Sequence, residues 1–445
     1  MKDLKIALIP LARVHYDMDL AQKLAGEFRT HVIMRGLRVV ADVELVTDLA
    51  QAEAAIKQLA GKEYDLLLIF LATFADSTLV VSFANAIDKP IFLWAVPEER
   101  TGGRLLLNSL CGANLAAHAL TLQHRPYDYA YAWPNDRAAT DHLHAVTAAA
   151  QVVRRLKAAR IGVVGEHPAG MDTCYLDEPE LNSRLGVQIV PINLQTVFDR
   201  VRQLEPEAAA GVQRRLERRV SRLDEVDQPQ LHRSLGVYHV LREIAFQEKL
   251  DALAVRCWPE FFTDLQCSAC GAMSMLDDEQ IPCGCEADIN GTLSQLILQW
   301  LSEMPAFGTD IVSSDFEGDT TVLWHCGQAP LSMADPNCTP QATIHSNRRL
   351  PLLMEFPLKP GKVTFARLSR ANGELRLVVS TGEMLAAPPS FSGTSGVARF
   401  ERPARQVLDT ILREGLEHHI SLTYGDHLSC LLALARMLRL PVLTL

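Results

Sequence analysis

Two carboxylates and a pair of imidazoles are the residues whose types and spacing could do chemistry in this chain. Glu260 closes the stretch Ala252-Leu-Ala-Val-Arg-Cys-Trp-Pro-Glu260, and Asp288 sits in Cys285-Glu-Ala-Asp-Ile-Asn-Gly291. His418 and His419 stand near the C-terminus, ahead of Ile-Ser-Leu-Thr-Tyr-Gly. Two carboxylates and one imidazole can hold a single hard or borderline divalent cation and leave positions open for substrate oxygens. Adjacent histidines in a strand face opposite ways, so one of the pair is expected in the site. The competing reading of Glu260 is a solvated loop carboxylate. Asp288 precedes a helical run at 293–301, so it also reads as a helix N-cap, a role compatible with metal binding.

These groups must be carried by elements, and the chain punctuates them clearly. Residues 5–9, 66–70 and 91–94 are short apolar runs suited to parallel strands covered on both faces, and 17–38 has helical spacing. The alternation predicts a doubly wound α/β domain. It restarts near Arg160, with strands at 161–164, 186–191 and 252–257 and helices at 208–226 and 232–249. The last third changes character: strands at 352–356, 363–368 and 374–380, an Asn372-Gly373 hairpin turn at which both residues tolerate positive φ, and helices at 403–414 and 428–438. The expected architecture is α/β, with two Rossmann-like domains (1–157 and 158–320, the second bearing the carboxylates) followed by a mainly antiparallel, β-barrel-like domain with terminal helices (321–445).

Composition narrows the function classes. The 445 residues are 48% hydrophobic and 22% charged, enough for large cores. Lys+Arg 43 against Asp+Glu 53 gives a net charge of −10, and no long basic block occurs, which argues against nucleic acid or an anionic membrane as partner. Arg214, Arg215, Arg218 and Arg219 are interspersed with Glu217, Asp224 and Glu225 and read as a solvated helix face. No apolar run reaches about 18 residues, and the N-terminal apolar run is too short for a signal peptide. A cytoplasmic chain with mostly reduced thiols is expected. Cys267-x2-Cys270 followed by Cys283-x-Cys285 could in principle bind structural zinc, but CxC departs from the usual knuckle, and free buried thiols are the expectation. Cys111 has no base partner and reads as packing. Gly162-Val-Val-Gly165 is no dinucleotide fingerprint, and no Walker loop occurs.

Over essentially its whole length the chain resembles the L-fucose isomerase/L-arabinose isomerase superfamily, especially its L-fucose isomerase-like branch. The resemblance is carried by Pro10-Leu-Ala-Arg-Val-His-Tyr-Asp17, Trp94-Ala-Val-Pro-Glu98, Leu107-Asn-Ser-Leu-Cys-Gly112, the segments around Glu260 and Asp288, and the His-His pair. It implies a metal-dependent aldose–ketose isomerase, usually with Mn²⁺, acting on a monosaccharide. It also implies a homo-oligomer, often a hexamer, with sites near subunit boundaries. By the same resemblance Glu260, Asp288 and His419 would bind the metal, with His418 the alternative imidazole and His325, in Leu-Trp-His-Cys-Gly327, the nearest match to a further histidine.

Isomerisation moves a proton between C1 and C2 through an enediol, so charge developing on O1 and O2 must be stabilised. Glu260 and Asp288 would serve as acid and base as well as ligands. Arg13 and Asp17 lie at a strand's C-terminal end, where ligands gather in α/β sheets, and Arg13 could hold a hydroxyl or an anionic substituent, or simply pair with a neighbouring carboxylate. Arg256 is a second cation for an acidic sugar, and His325 completes the expected substrate contacts. A deoxyhexose, a pentose and a sulfonated hexose such as sulfoquinovose are the substrate classes in view. The rival reading is a non-catalytic sugar-binding or regulatory protein of the same fold; a third makes the cysteines a zinc scaffold or redox sensor.

Overall fold

The structure is a computed structural model that describes residues 3–445. Its contacts divide into two units: one runs up to Arg155 and takes in Ser429–Leu440, the other comprises Leu156–Leu428 and Pro441–Leu445.

The first unit is built on a five-stranded parallel sheet, β1 (Lys5–Leu11), β2 (Arg38–Val39), β3 (Leu66–Leu71), β4 (Ile91–Ala95) and β5 (Tyr127–Tyr131), in the order β2-β1-β3-β4-β5. β3 and β4 are buried at every residue, as unbroken apolar runs in a parallel sheet should be, while edge strand β5 alternates. The helix Met18–Met34 packs Phe28 on Phe70 at 4.4 Å and on Trp94 at 4.6 Å. It stops short of the expected residue 38 because Gly36 adopts φ +89° and turns the chain into β2.

In the second unit β6 (Arg160–Val164), β7 (Gln188–Ile192), β8 (Ala252–Val255) and β9 (Cys283–Gly284) form a parallel sheet ordered β7-β6-β8-β9. Then follow β10 (Phe307–Asp315), β11 (Thr320–His325), β12 (Gln341–Thr343), β13 (Leu353–Pro357), β14 (Gly361–Ser369), β15 (Arg376–Leu385), β16 (Thr394–Phe400), β17 (His419–Tyr424) and β18 (Val442–Thr444). Six of these, in the order β16-β11-β10-β17-β14-β15, are antiparallel neighbours, and the pairing of β15 back to β16 closes them into a barrel. The α/β fold with a C-terminal antiparallel barrel is therefore as the sequence predicts.

One apolar core runs through the second unit from Val164 and Val255 to Phe307 and Phe365. The helix Ile289–Ser302 is buried from Ile289 to Leu301 because it packs against β8 as well as β14 and β17. Ser294 fixes it to the barrel by accepting from the Leu368 amide at 2.8 Å. Two local expectations are corrected. The helix predicted at 208–226 spans only Pro206–Leu216, and the chain beyond it turns at Arg222 with φ +61°. In the 370–374 hairpin the Gly373 amide donates to Arg370 O at 2.7 Å, and Gly373 takes positive φ while Asn372 does not. The turn thus ends in a left-handed glycine instead of carrying two left-handed residues. No helix among the described residues is long and apolar enough to cross a membrane.

Candidate active site

Polar groups collect in the second unit where the carboxyl ends of β6, β8 and β9 meet barrel strands β10, β11, β14 and β17, as open α/β sheets favour. Asp288 caps the helix Ile289–Ser302, its Oδ1 accepting from the Gly291 amide at 2.9 Å. Both of its oxygens also accept from the Arg367 guanidinium, Nη2–Oδ1 at 3.1 Å, and Oδ2 lies 3.0 Å from His419 Nδ1. A Cβ at Gly291 would strike this pair, so only glycine fits there. Burial disfavours the Asp288 carboxylate, but the charge of Arg367 and the hydrogen bonds from His419 and Arg367 override it and hold the group far below the usual carboxylate range. An ionised Asp288 makes His419 Nδ1 the donor, which leaves the Nε2 lone pair free.

That lone pair faces Asp310, whose Oδ1 lies 3.6 Å away and is buried with no hydrogen-bond partner. Three overlapping groups have ligand atoms mutually within 4.8 Å, and His419 belongs to each: with Asp310 and His418, with Cys174 and Glu286, and with Cys285 and His325. Glu286 is buried at φ +57° beside Ala287 at φ +54°, a left-handed pair of a kind that costs free energy and clusters at functional sites. Its Oε1 accepts from Trp258 Nε1 at 2.8 Å and its Oε2 lies 3.2 Å from His418 Nε2. Burial works against its charge; the hydrogen bonds from His418 and Trp258 outweigh it and lower the pKa.

The two histidines do not part as the strand rule predicts. His418 lies in a bend before β17, so the alternation of a strand does not apply, and the two rings approach to 3.9 Å on the same side. His418 Nδ1 lies 2.8 Å from Thr173 Oγ1. His325 is also here, at the end of β11, 5.9 Å from the His419 ring. Its Nδ1 accepts from the Cys326 amide at 2.9 Å, so the neutral ring carries its proton on Nε2. Burial pushes its pKa down to about 4, which keeps it neutral.

The structure thus gathers Asp288, His419, His418 and His325, while the other expected residues have partners of their own. Both Glu260 oxygens are taken by Arg256, at 2.7 and 2.8 Å, in an i,i+4 fork that lowers the Glu260 pKa. Arg256 in turn donates to the Glu166 and His167 carbonyls. In the first unit Asp17 is the N-cap of Met18–Met34, accepting from the Leu20 amide at 3.0 Å, and Arg13 lies 3.4 Å from Asp76. The Cys267/Cys270/Cys283/Cys285 set does not converge: Cys285 meets Cys257 at 2.9 Å and Cys270 meets Cys326 at 3.1 Å. Sequence reasoning passed over Glu286, Asp310 and Arg367. Each had a signal: Glu286 lies in the same short segment as Asp288, and Asp310 and Arg367 are charges in the middle of strands, flanked by Thr309 and Ile311 and by Ala366 and Leu368.

The comparisons agree with this architecture. Residues 7–157 match the family model "Fucose/sulfoquinovose isomerase, N-terminal domain" and residues 323–445 match "L-fucose isomerase, C-terminal domain". The chain is 31% identical over 442 residues to a sulfoquinovose isomerase of Priestia megaterium, covering 99% of both proteins. It is 32% identical over 441 residues to one of Alkalicoccus urumqiensis and 29% over 446 to one of a Clostridium species, again over 99% of each. These matches define the class as sugar isomerase. The chain belongs to the fucose/sulfoquinovose isomerase family.

Proposed function

We propose that this chain interconverts sulfoquinovose and its ketose in a divalent-metal-dependent reaction. The observation that carries the metal is the buried, unpartnered Asp310 Oδ1 facing the free lone pair of His419 Nε2. An oxygen-rich donor set with one imidazole suits Mn²⁺, whereas thiols do not. Of the groups around His419, Glu286 and Asp310 supply the oxygens, so we assign the metal to Glu286, Asp310 and His419. Asp288 then orients His419 from behind, and Glu260 remains with Arg256. Bound there, the ion would draw charge from the two sugar oxygens as the enediol forms.

The residues themselves divide the remaining work. The base must have an oxygen free to take the proton; Trp258 and His418 engage Glu286, whereas the Asp310 side chain is 24% exposed and open to the sugar. Asp310 accordingly moves the proton between C1 and C2. His325 presents its Nε2–H to a substrate oxygen as a neutral donor. The substrate assignment rests on full-length similarity to sulfoquinovose isomerases. Incubating purified protein with sulfoquinovose, pentoses and 6-deoxyhexoses, before and after chelation and Mn²⁺ readdition, tests it by NMR. Sulfoquinovose turnover that is lost on chelation and restored by Mn²⁺ is expected; metal-loaded protein that turns over no sugar would sink the reading.

A further inference from the structure

An acidic sugar needs a cation that the fold has not already spent. Arg367 is committed to Asp288, and Arg256 to Glu260. Arg348, on the loop between β12 and β13, is different. Its guanidinium carbon lies 5.0 Å from the centre of the Trp258 ring and 4.9 Å from that of Phe262. Its Nη1 is 3.3 Å from His345 Nε2, and among the described residues no carboxylate is recorded in ion-pairing range. Burial and Arg348 itself push His345 down to about 4, so His345 is neutral and leaves the guanidinium charge intact. A guanidinium lying over two aromatic rings keeps its planar fork oriented while its edge stays free for an oxyanion.

Two paths tie this arginine to the site. Trp258, under Arg348, donates its indole N–H to Glu286 at 2.8 Å. The charge of Arg348 is also felt at Cys270, whose sulfur meets Cys326, the neighbour of His325. One indole ring therefore separates Glu286 from the guanidinium. An extended six-carbon chain with C–C bonds near 1.5 Å spans about 6 Å, long enough to reach past one such ring.

We infer that Arg348 is the specificity residue that binds the sulfonate on C6 of the open-chain sugar while C1 and C2 lie at Glu286, Asp310 and His419. This deepens the function proposed above and rests on it. Three sulfonate oxygens offer the paired acceptors that a guanidinium fork engages in charge-assisted hydrogen bonds. An uncharged sugar gains nothing from the fork, so the residue acts on discrimination between substrates.

The test is the ratio of affinities for sulfoquinovose and for 6-deoxyglucose, its uncharged counterpart, measured by calorimetry on the full chain loaded with Mn²⁺. In Arg348→Ala that ratio should fall by about thirtyfold, the scale of losing one charge-assisted pair. Arg348→Gln keeps a planar polar end group without the charge, should shift the ratio similarly, and stands in if the alanine variant melts below the assay temperature. An unchanged ratio in the folded variants overturns the inference, and so does an equal loss for both sugars, which would mark Arg348 as structural. If wild-type protein binds both sugars but converts neither, the proposed function fails while the affinity ratio still decides the role of Arg348.

Discussion

The chain has two parallel sheets, and the carboxyl ends of their strands are used in opposite ways. In the first unit every expected chemical group there has a structural partner. Asp17 caps a helix, Arg13 pairs with Asp76, and Glu98 accepts from the Leu106, Leu107 and Asn108 amides. Arg13 and Asp76 are 43% and 47% exposed, so water screens them. At the ends of β6, β8 and β9 the charges are buried, Arg367 and Asp288 at 3% and 2%, and Asp310 keeps an unpartnered oxygen. Position at a strand end therefore does not distinguish a reactive centre. Charge held out of water with an unsatisfied atom, at Asp310, is what the proposed centre rests on.

Replacing residues on the two sheets should expose that contrast, and the largest effects belong to the second. His419→Ala removes the imidazole shared by every candidate ligand group. We expect turnover to fall by at least about a thousandfold and bound Mn²⁺ to drop, both read on one sample by kinetics and metal analysis. Retained metal with retained turnover would refute the assignment. Asp288→Asn should leave buried Arg367 with only Glu417, 3.9 Å from its Nε, as a counter-charge and cost about 3 kcal/mol, seen as a lower midpoint in urea. The acid limb gives a sharper reading. Arg367 and His419 lower the folded pKa of Asp288 against the effect of burial, so its stabilisation is complete above the unfolded value near ~3.9 and is lost as pH falls through the folded one. The stability gap between wild type and Asp288→Asn should stay level above about pH 5 and narrow below about pH 4.

How much of this could be read from the residues alone follows from what each signal depends on. Apolar runs such as Leu66–Leu71 announce buried parallel strands, because burial on both faces leaves no room for polar residues. Asp288 and His419 were legible through their local setting, a cap position and a conspicuous imidazole pair. Glu260 and Glu286 both lie just past a strand of the second parallel sheet, β8 and β9. What separates them is Arg256, four residues ahead on the same short turn, and the left-handed backbone that swings Glu286 inward. Neither the i,i+4 fork nor two consecutive positive φ angles is written in residue type. Arg367 was missed because strand spacing says that a side chain faces the barrel side, but not what lies across from it, and Asp310 because its strand, Phe307–Asp315, was not read as one. The β14–β15 hairpin was foreseen, whereas β10, β11, β16 and β17 were not placed, and closure depends on β15 pairing with both β14 and β16, a long-range register that no local pattern carries.

Smaller effects complete the comparison. Glu260→Gln should leave bound Mn²⁺ at the wild-type level, while Glu286→Gln should lower it, with metal analysis of the two variants side by side as the check. Loss of metal in Glu260→Gln would return that carboxylate to the centre and require it to leave Arg256. In stability, Glu260→Gln should cost under about 1 kcal/mol, because its side chain is 29% exposed and the pair is partly screened. On the first sheet Asp17→Ala should cost about 1 kcal/mol through the lost cap, measured by chemical denaturation, with no change in metal content. Arg13→Ala removes only an exposed ion pair and a guanidinium 5.7 Å over Phe74, and should fall within about 0.5 kcal/mol of wild type. A sulfoquinovose KM that rises in Arg13→Ala without a change in stability would break the comparison, since it would give the screened strand end of the first unit a part in binding that its partners in this structure do not supply.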